Sequence, residues 1–253
     1  MSRWAIVSDV HGNLPALEAV IVDIGCRSLD RSPIERVINL GDQVSGPLWP
    51  AETAALLMRQ DWLHIAGNHD RQVARTAPAL HGASDRYAYG RLTPDHLAWL
   101  AGLSPRSRPA PDVLAFHGAP GSDLVYLLET VEKGNVRLAT VAEITARLQG
   151  ETAPLMLCGH THQPRAVELP GVGLIVNPGS VGLPAYADDA PEPHTMELGS
   201  PHARYAIVET DGASGWRAEF HLVAYDHVAA ARQAARNDRP DWAAALATGR
   251  MPA

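Results

Sequence analysis

Residues 62–70 read WLHIAGNHD. The first half, WLHIA (62–66), has the length and apolar content of a short buried strand. The second half, Gly67-Asn68-His69-Asp70, falls where such a strand turns into a helix, and Asn and Asp serve both turns and helix caps. Taken alone, the tetrapeptide reads as a capped turn. It gains a different meaning only if other strands deliver partners for its side chains.

Other strands of this kind surround it. RWAIVS (3–8), ERVINL (35–40), DVLAF (112–116) and PLMLC (154–158) each read as a buried strand. Between them, LPALEAVIVDI (14–24), AETAALLMRQ (51–60) and residues 138–148 carry apolar side chains at helical spacing. Strand and helix in alternation imply a layered α/β fold with a central sheet. After residue 160 strands dominate: AVEL (166–169), GLIV (173–176), YAIVE (205–209) and RAEFHLV (217–223), followed by a helix from about 226. That tail suggests a second sheet packed on the first. With no internal repeat and no linker, the expectation is one domain over 1–253. Residues 184–204, PAYADDAPEPHTMELGSPHAR, are rich in Pro, Asp and Glu and lack a period, so they read as a surface loop or as a lid over a site.

Each early strand ends in a potential ligand. Asp9 and His11 follow the first, Asp42 the second, Asn68, His69 and Asp70 the third, His117 the fourth, and His160 and His162 the fifth. In open α/β sheets, ligands bind beyond the carboxyl ends of the strands, so five strands bring oxygen and imidazole donors to one edge. Each fragment has an ordinary reading as a turn, a cap or polar surface; their concurrence does not. Asp, Asn and His without Cys suit a borderline divalent transition metal rather than a closed structural zinc site. In Asp9-x-His11 and His160-x-His162, alternate residues of an extended segment share one side. Even seven of these nine donors exceed the needs of one tetrahedral ion, and a carboxylate such as Asp42 can bridge two.

The ordered set Asp9-x-His11, Gly41-Asp42, Gly67-Asn68-His69-Asp70, His117-Gly118 and Gly159-His160-x-His162 resembles the calcineurin-like metallophosphoesterase superfamily. The forms GDQVSGP and NPGSVGLP (177–184) resemble its small prokaryotic phosphoesterases and phosphodiesterases. The resemblance implies a four-layer α/β/β/α sandwich of two packed mixed sheets around a dinuclear metal centre. It implies two divalent transition-metal ions, Mn or Fe first, with Zn, Co or Ni as alternatives. Asp9, His11 and His162 would hold one ion, Asn68, His117 and His160 the other, and Asp42 would bridge them. A metal-bridging hydroxide would attack phosphorus, with His69 as the acid, and Asp70 would either orient His69 or cap the following helix. Protein phosphatases of this superfamily carry Arg in the motif after the bridging Asp and just before GNH. Here SGP (45–47) and Ala66 stand there, which argues against that branch.

Composition narrows the substrate. The 253 residues carry a formal net charge of −7 with the basic residues dispersed, so the chain lacks the basic stripe of a nucleic-acid binder. Asp188, Asp189, Glu192 and Glu197 add an acidic segment after NPGSVG. A small phosphodiester, phosphomonoester or nucleotide is the expected substrate. A nuclease, and a non-catalytic scaffold of the same fold, are the alternatives. Arg71, Arg75 and Arg165 flank the motifs and are candidates for a second phosphate, against the ordinary reading as surface Arg. Two cysteines make no disulfide framework, no apolar run approaches the roughly 20 residues of a membrane span, and the first residues lack the pattern of a signal peptide. A cytoplasmic protein is expected.

Overall fold

A computed structural model describes residues 2–213 and 215–252. In chain order the elements begin β1 (Ser2–Val7), α1 (Leu14–Asp30), β2 (Arg36–Asn39), α2 (Pro50–Leu57), β3 (Leu63–His64) and α3 (Asn68–Arg75). They continue with α4 (Ala83–Tyr89), α5 (Pro94–Gly102), β4 (Arg106–Ala110), β5 (Val113–Phe116), β6 (Glu129–Glu132), β7 (Asn135–Leu138) and α6 (Val141–Leu148). Next come β8 (Leu155–Leu157), β9 (Arg165–Leu169), β10 (Gly173–Asn177), β11 (Ala185–Asp188) and β12 (His194–Glu197). The last are β13 (Ala203–Thr210), β14 (Trp216–Val223), α7 (His227–Arg236) and α8 (Pro240–Thr248).

Two five-stranded mixed sheets are formed, in the orders β14-β13-β1-β2-β3 and β4-β5-β8-β10-β9. Each contains three parallel strands. β1-β2-β3 run to one edge of the first sheet, with β13 and β14 added antiparallel on the other side. β5-β8-β10 form the centre of the second, flanked by antiparallel β4 and β9. The period of two sorts side chains between layers. Trp4 and Ile6 of β1 and Ala206 and Val208 of β13 meet Leu155 and Leu157 of β8 between the sheets. The intervening Ala5, Val7, Tyr205 and Ile207 face outward onto Leu17, Val20 and Ile24 of α1. Met156 and Ile175 face the other way, onto Ile144 and Leu148 of α6. The fold is therefore the four-layer α/β/β/α sandwich.

The strand-rich tail does not form the second sheet by itself. β13 and β14 join β1, while β9 and β10 join β5 and β8. Both faces of β13 are apolar, which fits a central position rather than an edge. The strand expected at 62–66 shortens to Leu63–His64, and the helix expected at 138–148 starts at Val141 because β7 occupies the residues before it. Residues 184–204 are not an irregular loop. Ala185–Asp188 and His194–Glu197 pair as an antiparallel hairpin, anchored by the buried Ala185, His194 and Met196. No described helix is long and apolar enough to cross a membrane.

Candidate metal centre

The parallel strands of both sheets end at one place. The segments that leave them are tied together by backbone hydrogen bonds: Asp9 N donates to Gly41 O, His11 N to Asp42 O, and Gly159 N to His117 O. The turns are tight enough to force unusual backbone. Asp9, His11, Asp42, His160 and His162 have φ of 56°, 52°, 56°, 69° and 59°. Left-handed conformation at a non-glycine residue costs on the order of 1 kcal/mol or more and clusters at functional sites. Small residues allow the segments to close up, since a Cβ at Gly67 would run into Asp42 Oδ1 and one at Gly159 into Ser8 Oγ.

Two groups of ligand atoms result. Asp9, His11 and His162 offer atoms that all lie within 4.8 Å of one another, and so do Asp42, His117 and His160. Asn68 joins the second group, its Oδ1 lying 3.1 Å from His117 Nε2. Asp42 Oδ2 is 3.3 Å from His117 Nε2 and 3.9 Å from His11 Nε2, so it stands between the groups. Three imidazoles are held in one tautomer. His11 Nδ1 faces Ser45 O at 2.8 Å, His117 Nδ1 faces Leu40 O at 2.8 Å, and His162 Nδ1 faces Leu183 O at 2.7 Å. With Nδ1–H donating to a carbonyl, Nε2 keeps its lone pair for a ligand.

That assignment makes one contact informative. His11 Nε2 and His162 Nε2 lie 3.1 Å apart, two lone pairs facing each other in a buried site. Asp9 Oδ1, 3.3 Å from His162 Nε2, is buried without a hydrogen-bond donor. Such an arrangement fits a cation held between these atoms. Burial also pushes the pKa of His11 and of His160 down to about 4. For Asp42, burial is outweighed by the charges of His117 and His69, which hold its carboxyl well below the ordinary range.

His69 lies at the N-terminus of α3, its backbone N–H donating to Asp42 Oδ1 at 3.0 Å. Its side chain is about one third exposed, so it reaches the surface of the site. The partner of its Nδ1 is Asp85 of α4, at 2.7 Å, and not Asp70. Asp70 instead accepts from the backbone N–H groups of Asp42, Gly67 and Gln43 at 2.8–2.9 Å. It is a backbone clamp and helix cap, the second of the two roles read for it from sequence, and not the orienter of His69. Asp85 carries no local motif and lies 16 residues from His69 in the chain, so no sequence signal marked it.

Comparison with known proteins decides the family. The model of the calcineurin-like phosphoesterase superfamily domain matches residues 3–211. The chain belongs to that superfamily. The chain is similar to a metallophosphoesterase from Sphaerobacter thermophilus, at 25% identity and a TM-score of 0.71, covering 98% of this chain and 99% of that one. A hypothetical protein from Pyrococcus horikoshii OT3 shares the fold at 19% identity and a TM-score of 0.77, with both chains fully covered. An uncharacterized protein of Methanocaldococcus jannaschii is 39% identical over 69 residues, which span 27% of this chain and 26% of that protein.

The two groups of candidate ligands open into a cleft of about 860 Å³. Its walls come from residues 124–126, from the β11–β12 hairpin, and from the chain around Arg239 and Trp242. The hairpin therefore lines the site, as a lid would. Tyr126 packs on His160 with ring centroids 4.9 Å apart, and Tyr186 packs on His162 at 4.7 Å. Arg71, Arg75 and Arg165, the candidates for a second phosphate set against an ordinary surface role, are not among the cleft's lining residues. Arg71 makes a two-pronged ion pair with Asp123 at 2.6 and 2.8 Å. Arg165 pairs with the buried Glu129 at 2.9 Å, and Arg75 donates to Ala101 O at the surface. Arg147 and Arg239 line the cleft instead. Both lie far in sequence from the motifs, and nothing local singles them out.

Proposed function

We propose that this chain hydrolyses phosphate esters of small compounds (a phosphodiester, a phosphomonoester or a nucleotide) with two divalent transition-metal ions, Mn or Fe in the first place. The observation that carries the reading is the convergence of the His11 and His162 Nε2 lone pairs, 3.1 Å apart, beside the unpartnered Asp9 Oδ1. Nitrogen and oxygen lone pairs buried at that distance repel unless a cation draws them together. Asp9, His11 and His162 would hold one ion, Asn68, His117 and His160 the other, with Asp42 serving both. Bound ions supply Lewis acidity toward the phosphoryl oxygens and activate water as the nucleophile.

The protein's own groups do the rest. Carbonyls of Ser45, Leu40 and Leu183 fix three imidazole tautomers, so the donor atoms are preorganised. His69 holds a proton at the edge of the site and delivers it to the leaving oxygen. Asp85 accepts the Nδ1–H of His69, leaving Nε2 as the proton donor. Charge on His69 is favoured: burial opposes it, but Asp42 and Asp85 outweigh burial and raise the pKa to about 9.

The test is metal analysis joined to hydrolysis. Chelator-stripped protein reloaded with Mn²⁺ should take up about two ions per chain and regain hydrolysis of p-nitrophenyl phosphate or bis(p-nitrophenyl) phosphate. Asp42→Asn should weaken both sites together. Unchanged metal content in that variant would sink the assignment.

A further inference from the structure

We infer that the substrate carries, beyond its one phosphoryl group, an uncharged apolar arm of about aryl size, seated against Leu124, Val125 and the β11–β12 hairpin. The inference rests on the metallohydrolase reading above and names the chemistry of that site's substrate. Three observations support it: the size of the cleft, the state of its cations, and its exposed apolar walls.

A phosphoryl group bound at the two ligand groups fills a small part of a cleft of about 860 Å³. Sites of 300–1,000 Å³ suit whole organic ligands lined mainly by apolar groups with a few placed polar ones. The remaining volume calls for a second part of the substrate.

That part is not a further phosphate. The two arginines lining the cleft are already engaged. Arg239 donates through Nε and one terminal nitrogen to Asp241 and through the other to Ser84 Oγ at 2.8 Å. Arg147 donates to the carbonyls of Leu127 and Glu129 and to Thr130 Oγ1, which hold its guanidinium against the wall. Glu129 and Asp241 line the same cleft but are paired with Arg165 and Arg239. A second anion would therefore meet the carboxylate of Asp188, an Arg239 already neutralised by Asp241, and an Arg147 already hydrogen-bonded within the wall.

The walls are apolar where they meet the metal-binding groups. Tyr126 and Tyr186 lie against His160 and His162, with their hydroxyls hydrogen-bonded to each other at 3.0 Å. Leu124 and Val125, next in the chain to Tyr126, are 55% and 38% exposed. The hairpin adds Ala187, Ala190 and Pro191 to the lining, also exposed. Side chains this apolar, left to water beside a polar site, gain free energy by covering an apolar arm.

Calorimetry with non-hydrolysable phosphonates tests this on the Mn²⁺-loaded full chain. Phenylphosphonate should bind about ten-fold more tightly than methylphosphonate, the scale expected when one small apolar group leaves water. Phosphonoacetate, whose arm is anionic, should bind more weakly than phenylphosphonate. In a Leu124→Ser, Val125→Ser double variant the phenyl-to-methyl preference should fall toward one. Both positions are exposed, and a thermal melt establishes that the variant is folded. A ratio near one in the unaltered protein, tighter binding of phosphonoacetate, or a preference unmoved in the double variant would each overturn the inference. Metal-dependent binding without arm preference defeats this inference alone. Absence of metal-dependent binding to any phosphonate defeats the metal-centre reading and this inference with it.

Discussion

His69 Nδ1 and Asp85 Oδ1 lie 2.7 Å apart, and Ser45 Oγ donates to the same carboxylate oxygen at 2.6 Å. The pair joins the start of α3 to α4 and aims the free nitrogen of the imidazole away from its anchor. Asp85 is buried, and removing its charge takes away the hydrogen-bonded anion that orients the ring, leaving the charge of Asp42 alone to favour its protonation. Asp85→Asn should lower turnover by about 10- to 100-fold, and His69→Ala by roughly 10²–10⁴, the usual worth of a general acid. Both losses should shrink for nitrophenolate leaving groups, which need little protonation. Metal content should stay at the wild-type value in both variants. Steady-state rates on paired alkyl and nitrophenyl esters decide it, and equal losses on both would remove His69 as the acid.

His160 is held differently from the other imidazoles. Ser45, Leu40 and Leu183 offer carbonyls to His11, His117 and His162, but His160 has no such carbonyl partner among the described residues. Ring packing on Tyr126 and on His117, at 4.9 and 5.0 Å, brackets it instead. Outer-shell partners of metal ligands commonly matter 10- to 100-fold in affinity. The ion at Asp42, His117 and His160 should therefore leave first on dialysis against a graded weak chelator. Tyr126→Leu should lower that ion's affinity by about ten-fold, whereas Tyr126→Phe keeps the ring and most of the affinity. Loss of both ions in a single step from all three proteins would contradict this.

The candidate ligands, which the fold brings into two clusters, were legible in the sequence because each follows directly on a strand end. A buried strand announces itself by composition, and a donor just after it is visible without knowing the tertiary fold. What was hidden depends on partners distant in the chain. Arg71 looked like a phosphate binder, yet Asp123, 52 residues away, holds it. Asp85 sits in a seven-residue helix, ASDRYAY, whose short pattern does not declare a face. The β11–β12 hairpin escaped notice because four-residue strands broken by Pro and Asp show no period long enough to read. The sharing of the late strands between two sheets is likewise a matter of pairing, which local patterning does not encode.

Asp70 predicts a stability effect in place of a catalytic one. Its two oxygens accept three buried backbone N–H groups, those of Asp42, Gln43 and Gly67. The clamp ties the turn after β2 to the first turn of α3, and with it the strained backbone of Asp42. Removing the acceptor leaves buried donors at about 1–3 kcal/mol each. Asp70→Ala should cost on the order of 3 kcal/mol in a urea titration and weaken metal uptake through Asp42. Asp70→Asn should be intermediate, since its amide keeps one acceptor but turns donors toward donors. A fully stable Asp70→Ala protein with lost turnover would restore Asp70 to a catalytic role.

His64 of β3 gives the fold a pH dependence away from the metal centre. Its ring lies between Trp62 and Trp99, with centroids 6.0 and 5.5 Å away. Both ring nitrogens are buried without a partner of hydrogen-bond geometry. Burial pushes its pKa down from 6.5 to about 4, and the Leu57 backbone opposes that shift only weakly. The folded value lies below the unfolded one, so between the two the unfolded chain binds a proton that the folded chain does not. The stability from this group is complete above about 6.5 and is lost as pH falls toward about 4. At about 1.4 kcal/mol per pH unit across that window, the loss is roughly 3 kcal/mol. Other buried histidines titrate in the same range, so the quantity to measure is the stability difference between the wild type and His64→Phe. Phenylalanine fills the same space between the tryptophans and takes no proton. Urea titrations at pH 7 and pH 4.5 should show the variant gaining on the wild type by about 2–3 kcal/mol as the pH falls. A difference that stays constant across that interval would mean that His64 finds a partner for its charge in the folded state.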